Sequence, residues 1–202
     1  MNFDITLVII VITAIISIQA FSNAGLMQKL IFNPYAINHK KQWYRFLSAG
    51  FLHADWMHLL VNMFVLFSFG SAVQKYYAYF FGSVGTYLFI LLYLSSIVAA
   101  NASTYFAHKN NPGYNGLGAS GAVSAVVFAS ILFQPTTKIY LYGLIGIPGY
   151  LAGIAYLAYS QYASKNSQDN VNHEAHFYGA VYGIVFTLVF KPSVFKFFLN
   201  QF

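Results

Sequence analysis

The sequence contains no cysteine, only four acidic residues, and charge on only 7% of its side chains. Without cysteine there can be no disulfide, no thiolate metal ligand and no cysteine nucleophile. Ten Lys/Arg and four Asp/Glu cannot coat a water-soluble surface, which typically uses about 25% charged residues. An ordinary soluble enzyme is excluded. Disorder is excluded as well, because it needs low hydrophobicity. The basic residues are scattered, with Lys40 and Lys41 the one adjacent pair. Nucleic-acid binding needs a concentrated basic patch, so no such partner is expected.

What is abundant is apolar sequence. The 202 residues are 58% hydrophobic and 20% aromatic, with a mean hydropathy of +0.59. At about 20 residues per crossing, the length allows roughly five to seven membrane helices in one domain. The runs poor in Asp, Glu, Lys and Arg predict six spans, at about 5–21, 56–74, 84–106, 117–133, 139–161 and 175–190. These should be helices, because hydrocarbon leaves no other partner for the backbone. The first span is read as retained, since no basic n-region of a cleaved signal precedes it, with a removed signal as the alternative. Gly146, Pro148 and Gly149 predict a kink in the fifth span.

The expected architecture is an all-α, six-transmembrane-helix bundle. A long connection from Ser22 to Asp55 joins its first two spans, carrying Phe32, Tyr35, Trp43, Tyr44, Phe46 and Phe51. Aromatic residues favour the membrane interface, so this connection should lie there. Six spans put both termini on one side. The positive-inside rule opposes a cytoplasmic N-terminus on the raw count and favours it once the interfacial connection is left out.

Ionisable and polar groups inside a membrane mark function by default. His58 and Asn62 are four apart and share one face of the second span. Ser120 opens the fourth span and His176 the sixth. Spans two, four and six all start on the same side, so these groups converge at one depth. A serine hydroxyl needs a base to become a nucleophile, and histidine can serve near neutral pH. His58, Asn62 and the Ser120 backbone N–H can donate to an oxyanion. No acid is spaced to complete a triad; Glu174 lies two residues before His176 and projects elsewhere. Gly179 and Gly183 follow His176 on its own face. With Gly121 they allow the close helix approach that small residues permit in membranes.

Gly118-Ala119-Ser120-Gly121, Ala175-His176 with Gly179 and Gly183, and His58 with Asn62 together resemble the rhomboid intramembrane serine proteases. His53, five before His58, and Trp43-Tyr44-Arg45 match further family positions. The resemblance implies a Ser120–His176 dyad with His58, Asn62 and Gly118 at the oxyanion site. His53 is read as structural or as support for that site. It implies substrates that are themselves transmembrane proteins, cut in or near a locally unwound span, and no metal or cofactor. A bacterial inner membrane is the expected location.

Two positions depart from the family. Ser124 stands where a tyrosine often stacks on the catalytic histidine, so either another aromatic, such as Tyr178, packs there or the histidine is less constrained. Gln74 replaces a frequent acid and should affect only structural support. His173-Glu174-Ala175-His176 does not match His-Glu-x-x-His, which argues against a zinc protease; that cluster is read as a cap on the sixth span. A polar cavity lined by His53, His58, Asn62 and the 164–172 loop should admit water. The fifth span and that loop are candidates for a gate. A transporter or channel using the same histidines, or a non-catalytic binder of membrane helices, remains the alternative.

Overall fold

A computed structural model describes residues 4–141, 143–169 and 171–202. Tyr142, within the expected fifth span, and Asn170, within the 164–172 loop, lie outside the described residues. The chain is mainly helical. In order come α1 (Ile5–Ser22), the short helices α2 (Ala24–Leu30), α3 (Pro34–Lys40) and α4 (Arg45–Ser48), then α5 (Trp56–Phe81). The second half comprises α6 (Gly85–Ala100), α7 (Ala102–His108), α8 (Ser120–Phe133), α9 (Gly149–Asn166), α10 (His173–Phe190) and α11 (Ser193–Leu199).

Helix starts follow local chemistry. Asp4 caps α1 by accepting from Thr6 N at 3.0 Å, and Asp55 caps α5 by accepting from His58 N at 2.8 Å. Asn172 caps α10 by accepting from Ala175 N at 2.9 Å. Each satisfies an amide that the first helical turn leaves open. The expected cap from the His173–Glu174 cluster is thus supplied one residue earlier. His173 instead faces Asp169 at 3.1 Å.

The central helix is α8, packed by α5, α6 and α10. Nearly all of its residues are buried, which suits a helix surrounded by protein. On α10, Gly179 and Gly183 press against the Gly121 and Ala125 carbonyls, where an added Cβ would overlap the backbone. The main core fills the remaining space with Leu66, Tyr77, Phe89, Tyr93 and Val126. Gln74 accepts from Thr6 N and Thr6 Oγ1, each at 3.3 Å, tying the far part of α5 to α1.

Two expected spans need correction. The segment beginning at 139 is not helical. Lys138–Leu141 (β1) and Ile145–Pro148 (β2) form an antiparallel hairpin, pairing Ile139 with Ile147 and Tyr140 with Gly146. Gly143 has φ of 73° in its turn, which a β-branched or bulky residue would resist. Pro148 has no N–H to continue a ladder, so α9 starts directly after it. The segment at 84–106 is divided at Asn101, whose side chain donates to the Ile97 carbonyl at 2.9 Å. Elsewhere α5 runs seven residues past the expected end, and α8 begins three residues late.

By length and composition, two helical stretches among the described residues can cross a membrane: Ile5–Ser22 and Trp56–His108. A third is added if α10 and α11, bent by 114° at their break, count as one. Helix α8 has 14 residues, about 21 Å at 1.5 Å each, short of a hydrocarbon core of about 30 Å.

The connection between α1 and α5 is a set of helices rather than an open loop. Arg45 is buried, and its guanidinium donates to the Gln28 and Ile31 carbonyls, both at 2.8 Å. Phe32 and Gly116 exchange backbone hydrogen bonds of 3.0 and 2.9 Å, and Gly118 N donates to the Ala49 carbonyl at 3.0 Å. The connection therefore holds the segment that leads into α8.

Replacing Gly179 with valine should separate α8 from α10 and cost at least the roughly 1–3 kcal/mol of an overpacked core. A thermal melt in detergent showing a wild-type midpoint for Gly179→Val would contradict this packing.

Candidate active site

Ser120 is the first residue of α8. Unlike α1, α5 and α10, this helix opens without a side-chain cap. Its first amides are therefore available at the positive end of the helix dipole, where negative charge is favoured. Gly118, two residues earlier, has φ of 125°. A Cβ there would sit 3.0 Å from His58 Cε1, 3.1 Å from His58 Nε2 and 3.6 Å from Ser120 Oγ. Gly118 is thus required both by its backbone and by the narrow space between the two side chains.

His58 has a defined tautomer. Ala54 N donates to its Nδ1 at 3.4 Å, so Nδ1 is the acceptor and Nε2 carries the proton. That N–H lies on the side of the ring facing Gly118. Asn62, one turn along α5, is buried and donates one amide proton to the His58 carbonyl at 3.0 Å. The second amide proton is left for another acceptor.

His176 lies in the first turn of α10, next to Ala175, whose carbonyl lies 3.3 Å from the Cβ position of Gly121. The backbone contact of α8 with α10 therefore sets Ser120 and His176 on adjoining turns. No hydrogen bond joins the two among the described residues. The stacking aromatic expected from the sequence is not Tyr178, which is 43% exposed. It is Tyr156 of α9, whose ring is 6.4 Å from that of His176 at an interplanar angle of 19°.

His53 sits behind His58, with ring centroids 4.9 Å apart. Ser17 of α1 donates its single proton to the Phe51 carbonyl at 2.9 Å and so accepts from His53 Nδ1 at 2.9 Å. This makes His53 a neutral, buried strut between α1 and the start of α5. The α1 contribution was missed in the sequence, since Ser17 looks like one more small residue in an apolar span.

A space of about 170 Å³ opens between the ends of α7, α9 and α10, lined by residues including Thr104, Tyr114, Ser164, Asn172 and Glu174. The 164–172 loop contributes, but His53, His58 and Asn62 do not. Nearby in the chain, the Val171 amide and then His173 hold the Asp169 carboxyl below the ordinary value. Among the described residues no group of three His, Cys, Asp or Glu is arranged to hold a metal ion.

Burial, with His58 beside it, pushes the His53 imidazole down to about 3 from 6.5, and Asp55 opposes this only partly. An unfolded chain binds a proton at this residue below about pH 6.5, whereas the folded one resists until about pH 3. Stability should therefore fall as pH drops through this window. Unfolding measured between pH 7 and 4 should show that slope, and His53→Gln should flatten it.

The family model described as the Rhomboid domain matches residues 40–193. "RHOMBOID-like protein 12, mitochondrial" of Arabidopsis thaliana is 26% identical over 159 residues, covering 75% of this chain and 47% of its own. "Rhomboid-like protein 11, chloroplastic" of the same plant is 30% identical over 163 residues, covering 75% and 54%. "Putative rhomboid protease YdcA" of Bacillus subtilis (strain 168) is 28% identical over 148 residues, covering 73% and 67%. The chain spans about half the length of the two plant relatives. Their names include two organelles beside one bacterium, so the matches do not single out the expected bacterial inner membrane. From the first connection to the end of α10, the chain belongs to the rhomboid family of membrane-embedded proteins.

Proposed function

We propose that this protein is an intramembrane serine endopeptidase that cleaves other transmembrane proteins in or near their spans. The observation that carries this reading is the arrangement at the α8 N-terminus. Ser120 Oγ and His58 Nε2 flank Gly118 beside free helix amides, and α10, which carries His176, packs against α8 through its glycines. The rhomboid match and the name of the Bacillus relative support it.

In this reading His176 takes the Ser120 proton as the hydroxyl attacks a substrate carbonyl. The oxyanion receives hydrogen bonds from the Ser120 amide, His58 Nε2–H and the remaining Asn62 amide proton. Protonated His176 then passes its proton to the leaving amine. Water, activated the same way, hydrolyses the acyl-enzyme and restores both residues. The reaction uses only these side chains. A substrate helix must unwind locally first, because its peptide bonds are shielded and internally bonded.

The six-crossing arrangement belongs to the same proposal. It uses α1, α5, α6 with α7, α8, α9 and α10, with α8 reaching the surface through the Gly116–Ala119 segment. All of residues 1–202 then form one domain in the lipid bilayer. The transporter alternative lacks a continuous polar path. Thr187, in the far half of α10, already donates to the Gly183 carbonyl at 2.8 Å and meets Tyr77 Oη at 2.7 Å.

Purified wild type should cleave a transmembrane reporter in liposomes, and Ser120→Ala and His176→Ala should not. Asn62→Ala should retain measurable activity reduced by about 10²–10³-fold, the usual loss for one oxyanion donor. A fluorophosphonate should label wild type and spare Ser120→Ala. Full cleavage by Ser120→Ala would sink the mechanism.

A further inference from the structure

Position 124 lies one turn past Ser120 on α8, and its serine is buried at 6% exposure. A serine buried in a membrane helix usually returns its proton to its own backbone. Here Ser124 Oγ instead meets Tyr156 Oη of α9 at 2.7 Å. The contact holds the phenol by its far end. The ring is also held at its side by Phe128, one turn further along α8, with centroids 5.7 Å apart. Its face lies nearly parallel to the His176 imidazole. The edge of His173 closes another side of the imidazole, at 6.0 Å and 82°.

The backbone of α9 is shaped for this delivery. Gly153, three residues before Tyr156, lets α9 approach α8. A Cβ there would lie 3.2 Å from Ile131 Cδ1 and 3.3 Å from Phe128 Cε1. The outer face of α9 is apolar and exposed at Leu151, Ile154, Tyr159 and Tyr162. The Tyr156 ring therefore depends on α9 being docked against α8.

We propose that Tyr156 is a positioning residue for His176, fixed by its hydrogen bond to Ser124, so that the dyad is aligned only while α9 is docked on α8. The proposal rests on the reading of His176 as the base. It makes the histidine's orientation a property of two helices rather than of α10 alone. Any movement of α9 away from α8 withdraws the ring and loosens the base.

The test uses the full-length protein in detergent or liposomes. Tyr156→Leu should lower kcat by about 10²-fold, the scale of a catalytic group displaced by about 1 Å, with KM unchanged. Tyr156→Phe retains the ring and should recover most of that loss. Tyr156→Phe and Ser124→Ala should each cost roughly two- to tenfold, the range for one hydrogen bond. The double variant should be no worse than either single one, because both remove the same bond.

A second arm needs no turnover. With histidine labelled by ¹³C and ¹⁵N in the Ser120→Ala background, adding Tyr156→Leu should shift and broaden the His176 ring signals. The His39, His53 and His108 signals should stay in place, which also reports an intact fold. A folded Tyr156→Leu protein with wild-type kcat, or with unmoved His176 signals, would overturn the proposal. If wild type neither cleaves a reporter nor takes the fluorophosphonate, the protease reading fails. The labelled-histidine arm then upholds or overturns the Tyr156–His176 contact by itself.

Discussion

Helix α10 touches α8 backbone to backbone, through Gly179 on Gly121 and Gly183 on Ala125. In a bilayer, lipid tails are as apolar as the side chains, so burial alone does not drive helices together. Association depends on close packing and on the hydrogen bonds it permits. Two glycines one turn apart, facing two small residues one turn apart, supply that closeness. Ser120 immediately precedes Gly121, and His176 lies three residues before Gly179, so the same contact sets how the first turns of the two helices, which carry these residues, are placed.

The long, aromatic connection between α1 and α5 makes sense against this contact. Helix α8 is short and begins uncapped, so its start needs external support. The support comes from backbone pairing of Phe32 with Gly116 and of Ala49 with Gly118, with buried Arg45 binding the connection to itself. Ser17 and His53 brace the other side of the site, where α5 begins. Neutral histidine at position 53 satisfies one ring nitrogen at the cost of acid tolerance. The residues that form the site are few, and much of the first 55 residues serves to hold them.

Several parts were legible in the sequence for identifiable reasons. Helices α1 and α10 lie within two residues of their expected limits, because long apolar runs ended by polar residues or Lys-Pro have one reading. Ser120, His58, Asn62 and His176 stood out as candidates because polar groups are so scarce that their shared level is conspicuous, and Gly118 came only from the family motif. The hairpin at 138–148 was hidden, since an apolar run rich in isoleucine and tyrosine suits a strand or a membrane helix equally. Only the pairing of Ile139 with Ile147 separates the two. Tyr156 was missed for a related reason. Its distance from His176 is set by how α9 leans on α8, and neither chain separation nor helical periodicity contains that angle.

Composition alone marks the chain as a membrane protein, and the fixed period of a helix places its few polar residues on particular helix faces. Long-range packing sets which helix supplies the ring beside His176, which residues brace His53, and where the space beside α9 opens. Such matters depend on contacts between elements far apart in the chain. Their geometry is set by the summed packing of every helix around α8 rather than by any local pattern.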